Sequence, residues 1–263
     1  MVTSDNIEET NNSAMDATPT MTDENQDDFL SDANKGDKKS SLKNSYKVLA
    51  RKYRPQNFED LMGQEIMVQT LKNAFKTNRI AHAYILTGVR GIGKTTTARL
   101  LARSLNYETD LINEPNIEMP EIGKHCEEIM ESRHIDVIEM DAASRTGIAD
   151  IREIIDSINY SPSSARYKIY IIDEVHMLSK AAFNGLLKTL EEPPAHVKFI
   201  FATTEILKIP TTIISRCQRF DLERIDNHLI NKHLSDVCNK EKIIFSEGAL
   251  TVSYTHLTLP TKA

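Results

Sequence analysis

The chain has 263 residues, 40% of them apolar and 27% charged, with three cysteines and a formal net charge of −6. That composition suits one large domain or one domain with a smaller companion; it excludes a collagen-like or disulfide-framework chain, and no apolar run approaches the ~20 residues that cross a membrane. The N-terminus lacks a basic stretch followed by an apolar one, so no secretory signal is read and a cytoplasmic protein is expected.

Cys126, Cys217 and Cys238 are widely spaced and odd in number, which fits reduced thiols rather than bridges or a C-x-x-C metal motif. Residues 1–45 hold ten acids and four lysines, which accounts for the whole net charge; beyond Ser45, 28 basic residues balance 28 acidic ones. With no global positive field, any contact with nucleic acid has to come from local patches. The acidic segment 1–45 has almost no apolar residue able to offset chain entropy and is expected to be disordered.

From Tyr46 the pattern alternates between helical and strand periods. Leu61, Ile66, Val68, Leu71 and Phe75 are spaced for a helix over 60–76, and an apolar strand follows over 83–86. Next comes Gly88-Val89-Arg90-Gly91-Ile92-Gly93-Lys94-Thr95, and a helix-like run over 96–105. Strand, loop and helix in that order give the G-x-x-x-x-G-K-[ST] pattern its physical meaning. Gly88, Gly91 and Gly93 let successive N–H groups turn around a phosphate, and the helix N-terminus, with Thr96 in its first turn, adds partial positive charge. Lys94 reaches the outer phosphates and the Thr95 hydroxyl suits a magnesium ion, so a nucleoside triphosphate is the expected ligand.

A polar, Pro-containing connection over 107–124 follows as an insertion. Then come a strand over 136–140, a helix over 148–158, a strand over 168–172, a helix over 180–190 and a strand over 197–202. Near-continuous apolar strands separated by amphipathic helices make a parallel sheet covered on both faces, a three-layer α/β domain over 46–223. A short helix over 211–215 and a short strand over 219–222 complete it. A helix over 226–240 carries Ile230, Leu234 and Val237 on one side and opens a second, helical domain, of which 224–251 supplies an incomplete part. Residues 252–263 break the helical period and are expected to be a non-native tail.

The strand over 168–172 ends in Asp173-Glu174. In a phosphate-loop fold this strand is expected beside the loop strand, so that Asp173 reaches the magnesium shell and Glu174 polarises the attacking water. An acidic pair after a strand is also common as a solvated turn; Lys94 and Thr95 are what lift it above that. Thr203 and Thr204 end another apolar strand, at the edge where ligands sit in open α/β sheets, so a hydroxyl there suits the γ-phosphate or the lytic water. Arg216 follows a short helical turn; by itself it reads as surface charge.

Arg51-Lys52-Tyr53-Arg54-Pro55, the 88–95 loop, Glu139-Met140-Asp141-Ala142-Ala143-Ser144-Arg145, Ile172-Asp173-Glu174-Val175-His176-Met177-Leu178, Leu187-Lys188-Thr189-Leu190-Glu191-Glu192-Pro193-Pro194 and Ser215-Arg216-Cys217, in that order, resemble the gamma/tau family of bacterial DNA polymerase III clamp-loader subunits. The resemblance runs from about Tyr46 to Leu250. It implies an AAA+ ATPase of the DNA-directed DNA polymerase III holoenzyme that uses ATP and magnesium. It also implies assembly with delta and delta-prime subunits and further gamma/tau copies, opening of a sliding clamp and its placement on primer-template DNA.

By the same resemblance Lys94 and Thr95 bind the β- and γ-phosphates, Thr95 and Asp173 the magnesium, and Glu174 orients water. Thr203 is the sensor and Arg216 the finger supplied to the next subunit. Arg54 and Pro55 lie near the adenine, while Arg145, Arg152 and Lys188 face the DNA backbone. One departure concerns a four-cysteine zinc module usual in the family: Tyr107, Pro120 and Gly123 stand where three of the cysteines would, and only Cys126 remains, so zinc is not expected. A second is that the lid arginine and collar of the family would lie beyond Leu250. Two other readings stay open. One is a nucleotide-binding module without turnover that serves as a structural partner. The other is a related helicase-like or Holliday-junction motor, which does not share the 187–194 and 215–217 segments in this form.

Overall fold

The structure is a computed structural model that describes residues 48–144 and 148–245. The acidic segment 1–45, the tail 252–263 and Arg145 lie outside the described residues. Five strands, β1 (Ala83–Thr87), β2 (Val137–Asp141), β3 (Lys168–Asp173), β4 (Val197–Thr203) and β5 (Gln218–Asp221), build one sheet in the order β2-β3-β4-β1-β5. Every pairing in it is parallel. Parallel neighbours need crossovers, and helices supply them. In chain order these are α1 (Leu49–Lys52), α2 (Glu65–Lys76), α3 (Lys94–Leu105), α4 (Cys126–Met130), α5 (Ile148–Ile158), α6 (Lys180–Glu191), α7 (Thr211–Ile214) and α8 (Asn227–Lys240).

Strand alternation divides the apolar residues between two cores. Tyr84 and Leu86 of β1 point into a core shared with Met67 and Leu71 of α2, Leu101 and Leu105 of α3 and Ile129 of α4. Ala83 and Ile85 point the other way, onto Ile151 and Ile154 of α5, Phe183 and Leu186 of α6 and Ile213 of α7. Because both faces are covered, β1 and β4 are buried along their whole length, which is why they read as unbroken apolar runs. The expected three-layer architecture is present.

The strand order corrects one expectation. β3 does not lie beside β1: β4 sits between them, with Thr87 of β1 opposite Thr203 and Ile172 of β3 opposite Phe201. Periodicity marks a strand as doubly buried but says nothing about which buried strand is its neighbour. The helix expected from residue 60 begins instead at Glu65. Phe58–Asp60 forms a separate single turn that buries Phe58, and Gly63, at φ 71, takes a left-handed turn that a helix does not accommodate.

The 107–124 connection is less of a polar insertion than expected. Tyr107, Ile117 and Met119 are buried in the first core, and the Tyr107 hydroxyl donates to the Glu121 carbonyl at 3.1 Å and accepts the Glu121 N–H at 3.2 Å. The Cys126 Sγ accepts the Gly123 N–H at 3.2 Å, and His125 Nδ1 lies 2.9 Å from His134 Nε2. Among the described residues no group of three or more His, Cys, Asp or Glu is arranged to hold a metal. Nor is any described helix long and apolar enough to cross a membrane.

Candidate functional site

The C-terminal ends of β1, β3 and β4 meet at one rim of the sheet. β1 ends at Thr87, and Gly88, Gly91 and Gly93 follow at φ 153, 80 and 102, all in the range that favours glycine. A side chain at Gly88 would also be crowded, since its Cβ would lie 3.1 Å from the Leu222 carbonyl oxygen and 3.2 Å from Ile92. The loop delivers the chain directly into α3, whose first turn presents unpaired N–H groups and the positive end of the helix dipole. That combination is one that suits a phosphate group.

Lys94, 6% exposed, begins α3 and folds back over the loop, donating to the carbonyls of Gly88 at 3.0 Å and Val89 at 3.1 Å. Burial pushes its pKa down, and the carboxylates of Glu174 and Asp173 oppose that shift. Thr95, next on the helix, donates its hydroxyl to Asp173 Oδ2 at 2.5 Å. Asp173 therefore reaches the loop helix across the intervening β4. A hydroxyl and a carboxylate oxygen at this spacing are the hard donors that suit magnesium, so the residues present fit that ion. Thr96 is half-buried in the same turn.

Glu174 stands at φ 46 and ψ 44, a left-handed conformation uncommon for a residue with a side chain. That turn sends its carboxylate to the end of β4, where Oε2 accepts the Thr204 N–H at 3.2 Å and the Thr204 hydroxyl at 3.0 Å. His176 stands alongside: its Nδ1 is 3.4 Å from the same Oε2 and 3.0 Å from the Thr203 hydroxyl, and its Nε2 is 3.5 Å from Glu205. Thr203, the predicted sensor, is wholly buried, and its hydroxyl oxygen also accepts the Glu205 N–H at 3.0 Å. The direct contact with Glu174 thus belongs to Thr204.

The other predicted residues are not drawn into this group. Arg216, after α7, donates to the Thr212 carbonyl at 2.7 Å and to Glu191 at 2.6 Å. The segment holding Arg54 and Pro55 runs along α3, where Arg103 donates to the Gln56 carbonyl; burial, then the charges of Arg99 and Arg51, lower the Arg54 pKa. Arg152 and Lys188 are exposed on the neighbouring helices α5 and α6. Sequence reasoning placed Thr204 at the ligand edge beside Thr203 without giving it a partner, and it gave His176 and Glu191 no role. Each lies inside or next to a motif already singled out, so proximity in sequence was the available signal.

Comparison with known proteins fits this geometry. A family model described as DNA polymerase III, delta subunit matches residues 63–226. The chain is 50% identical over 206 residues to the DNA polymerase III subunit tau of Escherichia coli K12, covering 78% of this chain and 31% of that protein. It is 49% identical over 208 residues to the tau subunit of Bacillus subtilis, covering 79% and 36%. To the gamma subunit of Buchnera aphidicola from Acyrthosiphon pisum it is 51% identical over 206 residues, covering 78% and 56%. The chain therefore spans about a third of the length of the two tau relatives. Among solved structures, the Thermotoga maritima RuvB Holliday junction branch migration motor superposes with a TM-score of 0.52 at 18% identity, covering 75% of this chain and 58% of that one, a likeness of fold.

Proposed function

This chain belongs to the DNA polymerase III gamma/tau family, and from that premise we propose that it is an ATP-driven motor subunit that loads a sliding clamp onto primed DNA. The observation that carries the reading is the 2.5 Å contact between Thr95 and Asp173, with the buried Lys94 on one side and Glu174 on the other. In this reading the loop amides and Lys94 bind the β- and γ-phosphates. Thr95 and Asp173 hold magnesium, which when bound supplies charge neutralisation for phosphoryl transfer. Glu174 takes the proton side of the attack by orienting water, steadied by Thr204, while Thr203 fixes His176 behind it. Arg54 and Pro55 border the base.

Arg216 is tied to Glu191 on a different element, which favours its being offered to a neighbouring copy's triphosphate rather than to its own. On this account the isolated chain holds ATP and turns it over slowly. The delta and delta-prime subunits, other gamma/tau copies, the clamp and primer-template DNA complete the machine, with Arg152 and Lys188 facing the DNA backbone. ATP hydrolysis by the full-length protein, assembled with these subunits, tests the reading. Stimulation by clamp and primed DNA is expected; a rate indifferent to both would leave only a nucleotide-binding module.

A further inference from the structure

The run Leu187-Lys188-Thr189-Leu190-Glu191-Glu192-Pro193-Pro194 carries the end of α6 and the turn that follows it. α6 stops at Glu191 because Pro193 and Pro194 cannot continue a helix, and Glu192 leaves the helical region at φ −125, ψ 68. Leu190 is 1% exposed and fixes the last turn in the second core, so Glu191 emerges near the start of β4. The short helix α7 is anchored nearby by Ile213, 1% exposed, in the same core. Between these two anchored ends lies the Arg216 guanidinium, with Nη1 on the Thr212 carbonyl at 2.7 Å and Nη2 on Glu191 Oε1 at 2.6 Å.

We propose that Glu191 is a positioning residue for Arg216, holding its guanidinium oriented for the triphosphate of an adjacent copy. This inference rests on the reading of Arg216 as a cation supplied to a neighbour. One tie on each terminal nitrogen leaves three of the five N–H donors for an anion. An arginine without such ties has to lose the freedom of a long side chain when it engages a phosphate; one already held loses less. The pair is exposed enough, at 33% and 50% of the two side chains, to be weak. It therefore orients the guanidinium without competing strongly against a far more highly charged partner.

The test uses the full-length chain assembled with its partner subunits, clamp and primed DNA, and reads steady-state ATP hydrolysis. Glu191→Ala should lower kcat on the order of tenfold with KM for ATP unchanged, a smaller loss than the ~10³-fold or more expected of Arg216→Ala. Glu191→Gln keeps an acceptor at the same reach and should recover most of the rate. In the Arg216→Ala background, Glu191→Ala should add nothing. An unchanged or higher kcat for Glu191→Ala, a rise in KM of the same size, or a further loss on top of Arg216→Ala would each overturn the positioning role. Full activity of Arg216→Ala would overturn the trans reading itself, which is a separate result.

Discussion

Glu174 is the residue whose surroundings most limit what the site can do. Its left-handed backbone and the two hydrogen bonds from Thr204 both act through Oε2, and no hydrogen bond from the described residues is made to Oε1. A carboxylate fixed by one oxygen presents the other in a defined direction, which is what orienting a water requires. Thr204→Val removes the hydroxyl while keeping the shape and the backbone N–H. Hydrogen bonds to charged groups contribute about 1.5–3 kcal/mol, so kcat for hydrolysis in the assembled complex should fall about ten- to a hundredfold, with nucleotide affinity unchanged. An unaltered kcat would reduce the Thr204 contact to packing. Lys94, Thr95, Asp173 and Glu174 were legible in the sequence because each sits in a local pattern with its own chemistry. Thr204 was legible as a hydroxyl at the ligand edge, but its tie to Glu174, like that of Glu191 to Arg216, was not, because the partners come from different elements and the contact depends on how strand ends and helix ends are laid side by side.

At the scale of elements, two buried devices make irregular segments behave like regular ones. Asp136, 1% exposed just before β2, accepts the N–H groups of Ser163 at 2.7 Å, Ser164 at 2.7 Å and Ala165 at 2.9 Å, and so organises the turn that leads into β3. Burial alone would raise its pKa, but those backbone donors outweigh it and hold the carboxyl below its ordinary value of 3.8. A depressed folded pKa gives stability that is complete above the ordinary value and is lost as pH falls through the folded one. Asp136→Asn should thus lower the unfolding free energy by about 1–3 kcal/mol at neutral pH and flatten its acid-side slope, measured by denaturant titration across pH. An unchanged slope would mean that the three donors do not discriminate a carboxylate. The second device is Gly123, where an added Cβ would lie 2.8 Å from the Glu108 carbonyl oxygen. Gly123→Ala should cost about 1–3 kcal/mol by forcing that backbone apart; a wild-type midpoint would show that the 107–124 connection yields. Neither device was visible as a pattern, since a lone aspartate before a strand and a lone glycine in a polar stretch look ordinary until the facing backbone is known.

For the molecule as a whole, alternating strands and helices specified the three layers, because burial on both faces leaves a continuous apolar signature in β1 and β4. They did not specify that β4 would separate β1 from β3, a separation that the Thr95 and Asp173 side chains bridge at 2.5 Å. A triphosphate bound at this rim would contact the β1 loop, α3 and the end of β3 at once, joining elements that otherwise meet mainly through the sheet. Binding to the folded chain alone then stabilises all of them together. At a nucleotide concentration a hundred times Kd the gain is about 2.7 kcal/mol. For a domain of this size each kcal/mol raises the melting temperature by about 2–4 °C, so magnesium and ATP should raise it by roughly 5–10 °C. Lys94→Ala should abolish the rise, because the loop then loses its only lysine on the outer phosphates, whereas Arg216→Ala should keep it, because that side chain is tied to Glu191 and not to the loop. A wild-type melting temperature indifferent to nucleotide would remove ATP binding, and with it the motor. A loss of the rise in Arg216→Ala equal to that in Lys94→Ala would instead put the arginine in the chain's own site.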